Sequence, residues 1–451
     1  MTNLAALLLE HPFTDDEDLL HTIDRSVTAG AARVAAREIA ERLDIAPGQA
    51  VAVQLPNGPE LVTTMAGVWL AGGVYVPVNP RLPSREVDVV HASTEPAAIV
   101  TEAGITKRVG MIYPDDVAVV MWTSGTTGAP KPVQHTHTAY LELLDRVLGP
   151  LRGKAKARAG PPSPNLIPVS LALNAGLYNT LFGLRAGAAL VIMDGFDPGV
   201  FAQLVRRFEI RSTVLPPAAL TMVIDSEVDD LGPLRYVRSI TAPLSPLHAA
   251  RFVAKFAGTY VLNGYGQAEL GEVIGWTAAE AKTFPEKVGA VGRPHPGVDV
   301  RVDAHGHLRV RPPNTAVGIE DRLDSDGYVD TGDLARIDDD GFVWIEGRAG
   351  DVINRGGNKV FPEAVEEVLR LDHSVADVAV VGVADDRLGE VPVAFLVGRP
   401  VPDDDLRALC RDHLVAYKVP VAFHWIAALP RNEIGKVQRR ELAGLIDPSV
   451  R

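Results

Sequence analysis

Residues 123–131, Thr-Ser-Gly-Thr-Thr-Gly-Ala-Pro-Lys, combine hydroxyl groups, glycines and a lysine that could bind phosphate groups. The apolar residues 117–121 precede this run and predict a buried strand. Hydroxyl groups and glycine N–H groups can surround a polyphosphate, because glycine lets the main chain approach it closely. The run differs from the common ATPase loop, which needs Gly-Lys-Ser/Thr in succession, because Lys131 lies between two prolines. An ordinary Ser/Thr/Gly turn is the alternative. Residues further along the chain must therefore decide between a phosphate-binding loop and such a turn.

Three charged residues further along the chain are candidates for the same site, and each also has an ordinary structural explanation. Glu269 ends a glycine-containing run, where a carboxylate is otherwise a surface or helix-capping group. Asp333 lies two residues after Thr331 in a predicted turn, where Asp is a common turn former. Lys436 lies near the end of the sequence, where a lysine is usually solvated. These residues are informative only as a set.

The composition limits the classes of protein to which the chain can belong. Its 451 residues predict at least two domains, and 47% of them are hydrophobic, which is enough for large cores. The formal charge of −13 argues against a general nucleic-acid binder. Cys410 is the only cysteine in the sequence, which excludes an intrachain disulfide and a Cys-rich metal site. An anionic substrate would therefore have to be held by local cations.

The N-terminal sequence and the apolar stretches predict a cytoplasmic protein without a membrane span. Residues 1–20 contain no Lys or Arg before their short apolar run, unlike a secretory signal. The longest apolar stretch, residues 65–78, is interrupted by glycines and a proline, which is typical of a buried helix and loop.

The elements that must position the candidate residues alternate between helix and strand patterns in the first part of the chain. Helical spacing over residues 35–43 is followed by a strand pattern at 50–55, a helix at 60–70 and a strand at 75–78. This alternation predicts parallel sheets with helices on both faces.

The pattern changes in the last third of the chain. From about residue 298, short strands are separated by Asp-Gly turns. After residue 350 a small unit follows, with a predicted helix at 363–371, a strand at 378–383 and a helix at 404–414.

Taken together and in order, these motifs resemble those of the adenylate-forming superfamily of acyl-CoA synthetases, peptide-synthetase adenylation domains and luciferases. The resemblance extends over nearly the whole chain, through motifs at residues 123–131, 263–269, 328–333, 347–366 and 416–437. It implies an α/β fold in which residues 1–349 form a large AMP-binding domain with two mixed or parallel sheets flanked by helices, plus a β-rich subdomain. It also implies a small, mobile, catalytic α+β domain over residues 350–451.

The chemistry of the superfamily explains why such motifs are needed. A carboxylate is a poor acylating agent, and transfer of AMP from ATP onto it gives a mixed anhydride with a good leaving group. The reacting groups are strongly anionic, so catalysis depends on positive charge and on positioning. By resemblance, Lys131 neutralises the departing pyrophosphate, and Lys436 bridges the acyl carboxylate and the α-phosphate. Rotation of the small domain would then withdraw Lys436 and admit a thiol.

The resemblance implies a role for each matched residue. Lys436 and Glu269 are expected to be catalytic, and Glu269 is also the expected ligand of Mg²⁺, which prefers oxygen. Gly350 is the expected hinge, and Gly356 and Gly357 are expected to line the channel for coenzyme A. The expected acyl-pocket residues are Leu173, Asn174, Ile240, Thr241 and Ala268. The residues expected to bind ATP or AMP are Thr123, Ser124, Gly125, Thr126, Thr127, Gly128, Lys131, Ala242, Pro243, Asn263, Gly264, Tyr265, Gly266, Asp333, Arg348 and Lys436.

The sequence departs from the superfamily pattern around the expected acyl pocket. Ala268 replaces a usual threonine, and Ile240 and Thr241 stand where glycines are common. Residues 168–176 lack the histidine that often gates the acyl site. The lining reads as apolar, without an evident cation, which predicts a hydrophobic or cyclic carboxylic acid and argues against an amino acid.

The leading hypothesis is therefore an ATP-dependent acyl-CoA synthetase that uses ATP, Mg²⁺ and coenzyme A, with no nucleic-acid partner. A first alternative is a stand-alone adenylating enzyme that loads the acid onto the phosphopantetheine of a carrier protein. A second alternative is a degenerate nucleotide-binding protein without activity. Dimers are common among such proteins, so a homodimer is one expectation.

Overall fold

The computed structural model describes residues 3–123, 131–152, 162–431 and 437–445. The chain divides into two compact units, one of Met1–Asp299 with Arg311–Gly327 and the other of Val300–Val310 with Tyr328–Arg451. The predicted boundary between residues 349 and 350, which separates the two expected domains, stays a prediction.

The first unit alternates helices and strands, as the sequence pattern predicts. Its helices are α1 (Ala6–Leu9), α2 (Ala29–Leu43), α3 (Pro59–Leu70), α4 (Ser84–Thr94), α5 (His137–Arg152), α6 (Asn174–Ala186), α7 (Pro198–Arg207), α8 (Pro217–Asp225), α9 (Pro246–Lys255) and α10 (Ala278–Thr283). Its strands are β1 (Asp18–His21), β2 (Ser26–Thr28), β3 (Ala50–Gln54), β4 (Val74–Pro77), β5 (Ala98–Thr101), β6 (Gly104–Lys107), β7 (Val117–Thr123), β8 (Lys131–Thr136), β9 (Asn165–Ile167), β10 (Leu190–Ile192), β11 (Ser212–Val214), β12 (Tyr236–Ser239), β13 (Tyr260–Gln267), β14 (Gly271–Gly275) and β15 (Arg293–Pro294).

One sheet of the first unit has the strand order β6-β5-β3-β4-β7-β8 within the described residues. The four central strands are parallel, whereas the edge strands β6 and β8 pair antiparallel with their neighbours. The central strands are apolar and almost wholly buried, as expected when helices cover both faces of a parallel sheet. Strand β7 contains the apolar run predicted before the phosphate-binding motif, so this sheet positions the start of that motif.

The second sheet has the strand order β15-β14-β13-β12-β11-β9-β10-β1-β2 among the described residues. Strands β13, β12, β11, β9, β10 and β1 run parallel, and β14 pairs antiparallel with β13. Ser239 on β12 lies opposite Asn263 on β13. The residues that follow Ser239 and Asn263 therefore emerge at the same edge of the sheet, which is the carboxyl edge where α/β proteins bind ligands.

The core of the first unit is built from the apolar faces of the helices and these strands. Trp69 on α3 is 1% exposed, and its indole Nε1 donates a hydrogen bond of 2.8 Å to the carbonyl oxygen of Ala118 on β7. Helix α2 begins at the side-chain cap Thr28, and helix α9 begins at the cap Ser245. The Ser245 cap fixes the end of the loop that follows β12.

The described part of the second unit contains two further sheets and three short helices. Its helices are α11 (Pro362–Leu369), α12 (Asp403–His413) and α13 (Arg439–Gly444). Its strands are β16 (Asp299–Val302), β17 (His307–Arg311), β18 (Val329–Ile337), β19 (Val343–Arg348), β20 (Ile353–Arg355), β21 (Asn358–Val360), β22 (Val375–Asp385), β23 (Gly389–Gly398) and β24 (Ala422–Trp425). The strand orders among the described residues are β16-β17-β18-β19 and β21-β20-β23-β22, with β24 paired to β23.

The core of the second unit packs α11 and α12 against the sheet that contains β22 and β23. Cys410 on α12 is free and fully buried there, and burial raises the pKa of its thiol to about 11. The predicted α/β class, with mixed sheets flanked by helices, is confirmed. Within the described ranges, no helix combines the length and the apolar character that crossing a membrane would need.

Candidate functional site

The predicted phosphate-binding residues begin where β7 ends. Thr123 on β7 pairs with Lys131 on β8 in an antiparallel register, so the two strands hold both ends of the run. Ser124, Gly125, Thr126, Thr127 and Gly128 lie outside the described residues, and so does Lys436. Their predicted roles stay predictions.

The predicted adenine-binding residues lie on β13 at the carboxyl edge of the second sheet. Asn263 is 5% exposed, and its Oδ1 accepts a hydrogen bond of 3.1 Å from the backbone N–H of Gly264. A Cβ on Gly264 would lie 3.0 Å from Ile240 Cγ2, and one on Gly266 would lie 2.1 Å from the carbonyl oxygen of Gly271. The backbone of Gly271 therefore excludes a side chain at position 266, and a side chain at position 264 would press on Ile240, on either side of the partly buried Tyr265.

The loop after β12 has a strained backbone. Thr241 has φ of +84°, a value that β-branched residues rarely adopt. Ala242 and Pro243 follow it and are exposed. Thr241 is a bulky residue at a position where members of the superfamily commonly have glycine. In the structure, its backbone keeps a conformation that favours glycine. Strain of this kind costs about 1–3 kcal/mol and clusters at functional sites.

Glu269 lies two residues after the end of β13 and is held by a guanidinium group. Arg322 Nη1 donates to Glu269 Oε1 at 2.9 Å, and Arg322 Nη2 donates to Gln267 Oε1 at 2.7 Å. The ring Nε2 of the buried His135 lies 2.8 Å from the carbonyl oxygen of Ala268, which fixes the backbone beside Glu269. Sequence reasoning missed both Arg322 and His135, because neither belongs to the Glu269 motif.

The fit of Mg²⁺ to these residues depends on the substrate. Among the described residues, no group of three or more His, Cys, Asp or Glu side chains could hold a metal ion. Mg²⁺ commonly uses one or two protein carboxylates together with water and the phosphates of the substrate. A single carboxylate at Glu269, beside the carboxyl edge of the sheet, fits that arrangement.

In the second unit, Asp333 and Arg348 form an ion pair. They are register partners on β18 and β19, and Arg348 Nε lies 2.9 Å from Asp333 Oδ1. The Asp333 side chain is 5% exposed, whereas that of Arg348 is 37% exposed. Thr331 accepts a hydrogen bond from the Asp333 backbone N–H at 3.2 Å and donates to the carbonyl of Leu308 at 2.8 Å. This Thr-Gly-Asp turn holds a buried carboxylate that could accept hydrogen bonds from two ribose hydroxyls.

The expected hinge and the expected coenzyme A residues lie in turns of the second unit. Gly350 is exposed in the short turn Ala349–Asp351, and a Cβ there would meet nothing within 4 Å among the described residues. Gly356 and Gly357 have φ of +55° and +86° and form the turn between β20 and β21. A hairpin with a Gly-Gly turn is thus present, and the roles in hinge motion and coenzyme A binding stay predictions.

Arg439 anchors the chain on the C-terminal side of Lys436. Its Nη2 lies 2.9 Å from Glu366 Oε1 and 3.3 Å from Glu363 Oε1, and its Nε lies 3.7 Å from Asp351 Oδ2. A backbone bridge pairs residues 431 and 437 on either side of the same segment. Burial raises the pKa of Glu363, although the positive charge of Arg439 opposes this shift.

One expected acyl-pocket residue, Ile240, lies close to an ionic group that the sequence reasoning missed. Leu173 is 38% exposed at the start of α6, and Asn174 Oδ1 accepts a hydrogen bond of 3.5 Å from Tyr140 Oη. Arg238 lies on β12 two residues before Ile240 and forms an ion pair of 3.0 Å with Glu272 on β14. The expectation of an apolar lining without a cation stays a prediction. Arg238 is visible in the sequence as a charged residue, but its pairing with Glu272 is not.

The motifs and the fold agree with the comparisons with known proteins. The chain matches the model of AMP-binding enzymes over residues 13–112 and 105–318, and that of the AMP-binding enzyme C-terminal domain over residues 364–436. The chain belongs to the AMP-binding enzyme family. The prediction that it is an enzyme of the adenylate-forming superfamily is therefore confirmed.

Individual relatives match nearly the whole chain at low identity. The 4-coumarate-CoA ligase 1 of Narcissus pseudonarcissus is 28% identical and covers 96% of this chain and 91% of its own length. The amide bond synthetase McbA of Marinactinospora thermotolerans has a TM-score of 0.83 at 26% identity and covers 98% of this chain and 99% of its own. The o-succinylbenzoate CoA synthetase of Bacillus subtilis, solved with an acyl-adenylate, has a TM-score of 0.84 at 23% identity, with coverage of 98% and 97%.

Proposed function

We propose that the protein is an AMP-forming acid–thiol ligase that activates a carboxylic acid with ATP and transfers the acyl group to coenzyme A. The observation that carries the proposal is Glu269, a carboxylate at the carboxyl edge of a parallel sheet, shortly after the closely packed Gly264 and Gly266. Matches to acid–CoA ligases over nearly the whole chain support the same assignment.

In the first step, a carboxylate oxygen of the acid attacks the α-phosphorus of ATP, and pyrophosphate leaves. Asp333 would accept hydrogen bonds from the ribose hydroxyls, and Arg348 pairs with this carboxylate at 2.9 Å. Lys131 and Lys436 would stabilise the charge on the departing pyrophosphate and at the α-phosphate. Mg²⁺, which Glu269 would hold together with the phosphates of the substrate, would supply further positive charge.

In the second step, the thiol sulfur attacks the acyl carbon, its proton is lost, and AMP leaves with the electrons of the broken acyl–oxygen bond. We assign Lys436 to the first step alone, because rotation of the small domain would withdraw it before the thiol attacks. Gly356 and Gly357 form a turn without side chains, beside which the thin pantetheine arm could pass.

A carrier-protein phosphopantetheine is chemically equivalent to coenzyme A at the reacting thiol. An amine is the third acceptor to test, because the chain also resembles an amide bond synthetase at 26% identity. Incubation of enzyme, ATP and acid with each acceptor in turn, followed by mass spectrometry, separates a CoA thioester, a loaded carrier and an amide.

Exchange of labelled pyrophosphate into ATP, screened over a panel of carboxylic acids, tests the activation step. We expect exchange that depends on the acid and falls at least about a hundredfold in Glu269→Gln. ATP binding without exchange for any acid would favour the inactive nucleotide-binding alternative. Three further proposals rest on the sequence: the acid is fatty or ring-bearing, the protein forms a homodimer, and it is located in the cytoplasm.

A further inference from the structure

The carboxylate that is expected to hold Mg²⁺ already has a cation beside it. Arg322 Nη1 lies 2.9 Å from Glu269 Oε1, and the two side chains are 28% and 18% exposed. A guanidinium group carries a fixed positive charge and donates hydrogen bonds without accepting any, so it can neutralise a carboxylate as a metal ion does. In this structure, a residue of the chain itself therefore neutralises Glu269.

Arg322 is held in this place by contacts other than the ion pair. Its Nη2 donates to Gln267 Oε1 at 2.7 Å, and Gln267 Nε2 donates to Tyr265 Oη at 3.3 Å. The backbone N–H of Arg322 donates to the carbonyl of Ile319 at 2.9 Å. Because both its side chain and its backbone are anchored, the guanidinium group stays against Glu269 rather than in the solvent.

The ion pair lies beside the strand that leaves the predicted phosphate-binding run. Strand β8 begins at Lys131, and the ring Nε2 of His135 on β8 lies 2.8 Å from the carbonyl oxygen of Ala268. The backbone N–H of Ala316 donates to the carbonyl of Glu269 at 2.8 Å. These contacts fix the backbone of Glu269, so the partner of its carboxylate can change without a movement of the strand.

A carboxylate that a guanidinium group has neutralised is a poor ligand for a divalent cation. Two cations beside one carboxylate repel each other, and water screens this repulsion only in part when the side chains are partly buried. A metal ion therefore has to displace Arg322 or bind against its charge. Conversely, a nucleotide without metal encounters a neutral ion pair, whereas an unpaired carboxylate would repel its phosphates.

We propose that Arg322 is the resident counter-ion of Glu269, and that Arg322 and Mg²⁺ compete for this carboxylate. The inference rests on the proposed function, because it takes Glu269 as the Mg²⁺ ligand and ATP as the nucleotide. Two consequences follow for binding. The protein without nucleotide binds the metal weakly, and its affinity for the nucleotide depends only moderately on the metal.

The first test measures metal binding without nucleotide. Mn²⁺ replaces Mg²⁺ as the probe, because electron paramagnetic resonance reports the concentration of the free ion. We expect Arg322→Gln, which removes the charge and keeps an amide donor, to bind Mn²⁺ at least about fivefold more tightly than the native protein. The double variant with Glu269→Gln should lose this gain, because the gain requires the carboxylate.

The second test measures nucleotide binding with and without metal. Calorimetry follows the α,β-methylene analogue of ATP, which cannot release pyrophosphate, once in EDTA and once in saturating Mg²⁺. In Arg322→Gln, the unpaired Glu269 carboxylate should weaken binding in EDTA, and Mg²⁺ should restore it. The ratio of the Kd in EDTA to the Kd in Mg²⁺ is therefore expected to be at least about fivefold larger than in the native protein.

Two further variants separate charge from structure. Arg322→Lys keeps the positive charge, so its Mn²⁺ affinity should stay within about threefold of the native value. Arg293→Gln is the matched control, because Arg293 pairs with Glu280 at 3.2 Å, with side chains 34% and 17% exposed. Arg293 lies on β15, which β14 separates from β13. We expect Arg293→Gln to change neither the Mn²⁺ affinity nor the ratio.

The outcomes distinguish the counter-ion from an arginine that only orients Glu269. An orienting role predicts weaker Mn²⁺ binding and a smaller ratio in Arg322→Gln. Either result, or no change, in a protein that exchanges pyrophosphate would overturn the counter-ion and keep the proposed function. The expected pattern in a protein that exchanges pyrophosphate with no acid would keep the counter-ion and overturn the proposed function. If neither the native protein nor Arg322→Gln binds Mn²⁺ or the analogue, both proposals are overturned.

Discussion

Replacement of Asp333 by asparagine tests the proposed ribose contact at a single oxygen atom. Asp333→Asn keeps the shape of the side chain but removes the negative charge that pairs with Arg348 at 2.9 Å. The carboxylate is 5% exposed, so a hydrogen bond that it makes to a ligand is poorly screened by water.

The magnitude follows from the number of hydrogen bonds. A hydrogen bond to a charged group contributes about 1.5–3 kcal/mol, so two ribose hydroxyls amount to roughly 3–6 kcal/mol. Since about 1.4 kcal/mol is a factor of ten, kcat/KM for ATP should fall by roughly 10²–10⁴. The free energy of unfolding should fall by much less, because Arg348 is 37% exposed and stays hydrated without its partner.

The assay compares ATP with its 2′-deoxy and 3′-deoxy analogues in the native protein and in Asp333→Asn, with pyrophosphate exchange as the readout. If Asp333 binds the ribose, each missing hydroxyl lowers kcat/KM strongly in the native protein and only slightly in the variant. Asp330→Asn is a matched control, because Asp330 lies on the same strand and pairs with Arg309 at 3.0 Å. Equal losses for the analogues in the native protein and in Asp333→Asn would refute the ribose contact.

Three further predictions concern the pH dependence of folding, backbone strain and the division of the two steps. Burial, and then the nearby Arg33, lower the pKa of His11 from 6.5 to about 4, so the stability that neutral His11 contributes above pH 6.5 is lost as the pH falls through 4. This loss of stability amounts to roughly 3 kcal/mol, so the free energy of unfolding of His11→Asn, measured in urea, should decline less than that of the native protein between pH 7 and 4. An equal decline in both proteins would contradict the lowered pKa of His11. Thr241→Gly should raise the free energy of unfolding by about 1 kcal/mol in denaturant titrations, because glycine adopts φ of +84° without strain, and a destabilised variant would count against strain at this position. Lys436→Ala should nearly abolish pyrophosphate exchange but spare thioester formation from a supplied acyl-adenylate, and equal loss in both assays would argue against its assignment to the first step.

The sequence predicted the architecture where apolar runs were continuous. The strand pattern at 50–55 appears as β3 and that at 75–78 as β4, because a buried parallel strand must be apolar on both faces. The strand predicted at 378–383 is longer in the structure, where β22 spans Val375–Asp385. Antiparallel pairing with β23 extends it beyond its apolar run, and sequence periodicity carries no information about such pairing.

The candidate site was predictable only where a motif is contiguous. The run at 263–269 was identified from its own residues, although its first five residues belong to β13, which continues to Gln267 and pairs with β14. Arg238 and Glu272 are far apart in sequence and meet because β12, β13 and β14 are neighbours in the sheet. Arg322 likewise reaches Glu269 from a separate segment. Strand order cannot be obtained from local composition, so these partners could not be predicted.

The transfer of oxygen from the acid to AMP tests the central proposal most directly. The enzyme is incubated with ATP, coenzyme A and an acid whose carboxyl group carries ¹⁸O, and the masses of the products are measured by mass spectrometry. If the carboxylate attacks the α-phosphorus, AMP carries one ¹⁸O atom and pyrophosphate carries none. Formation of ADP with ¹⁸O-labelled phosphate, or of unlabelled AMP together with the thioester, would contradict activation through an acyl-adenylate.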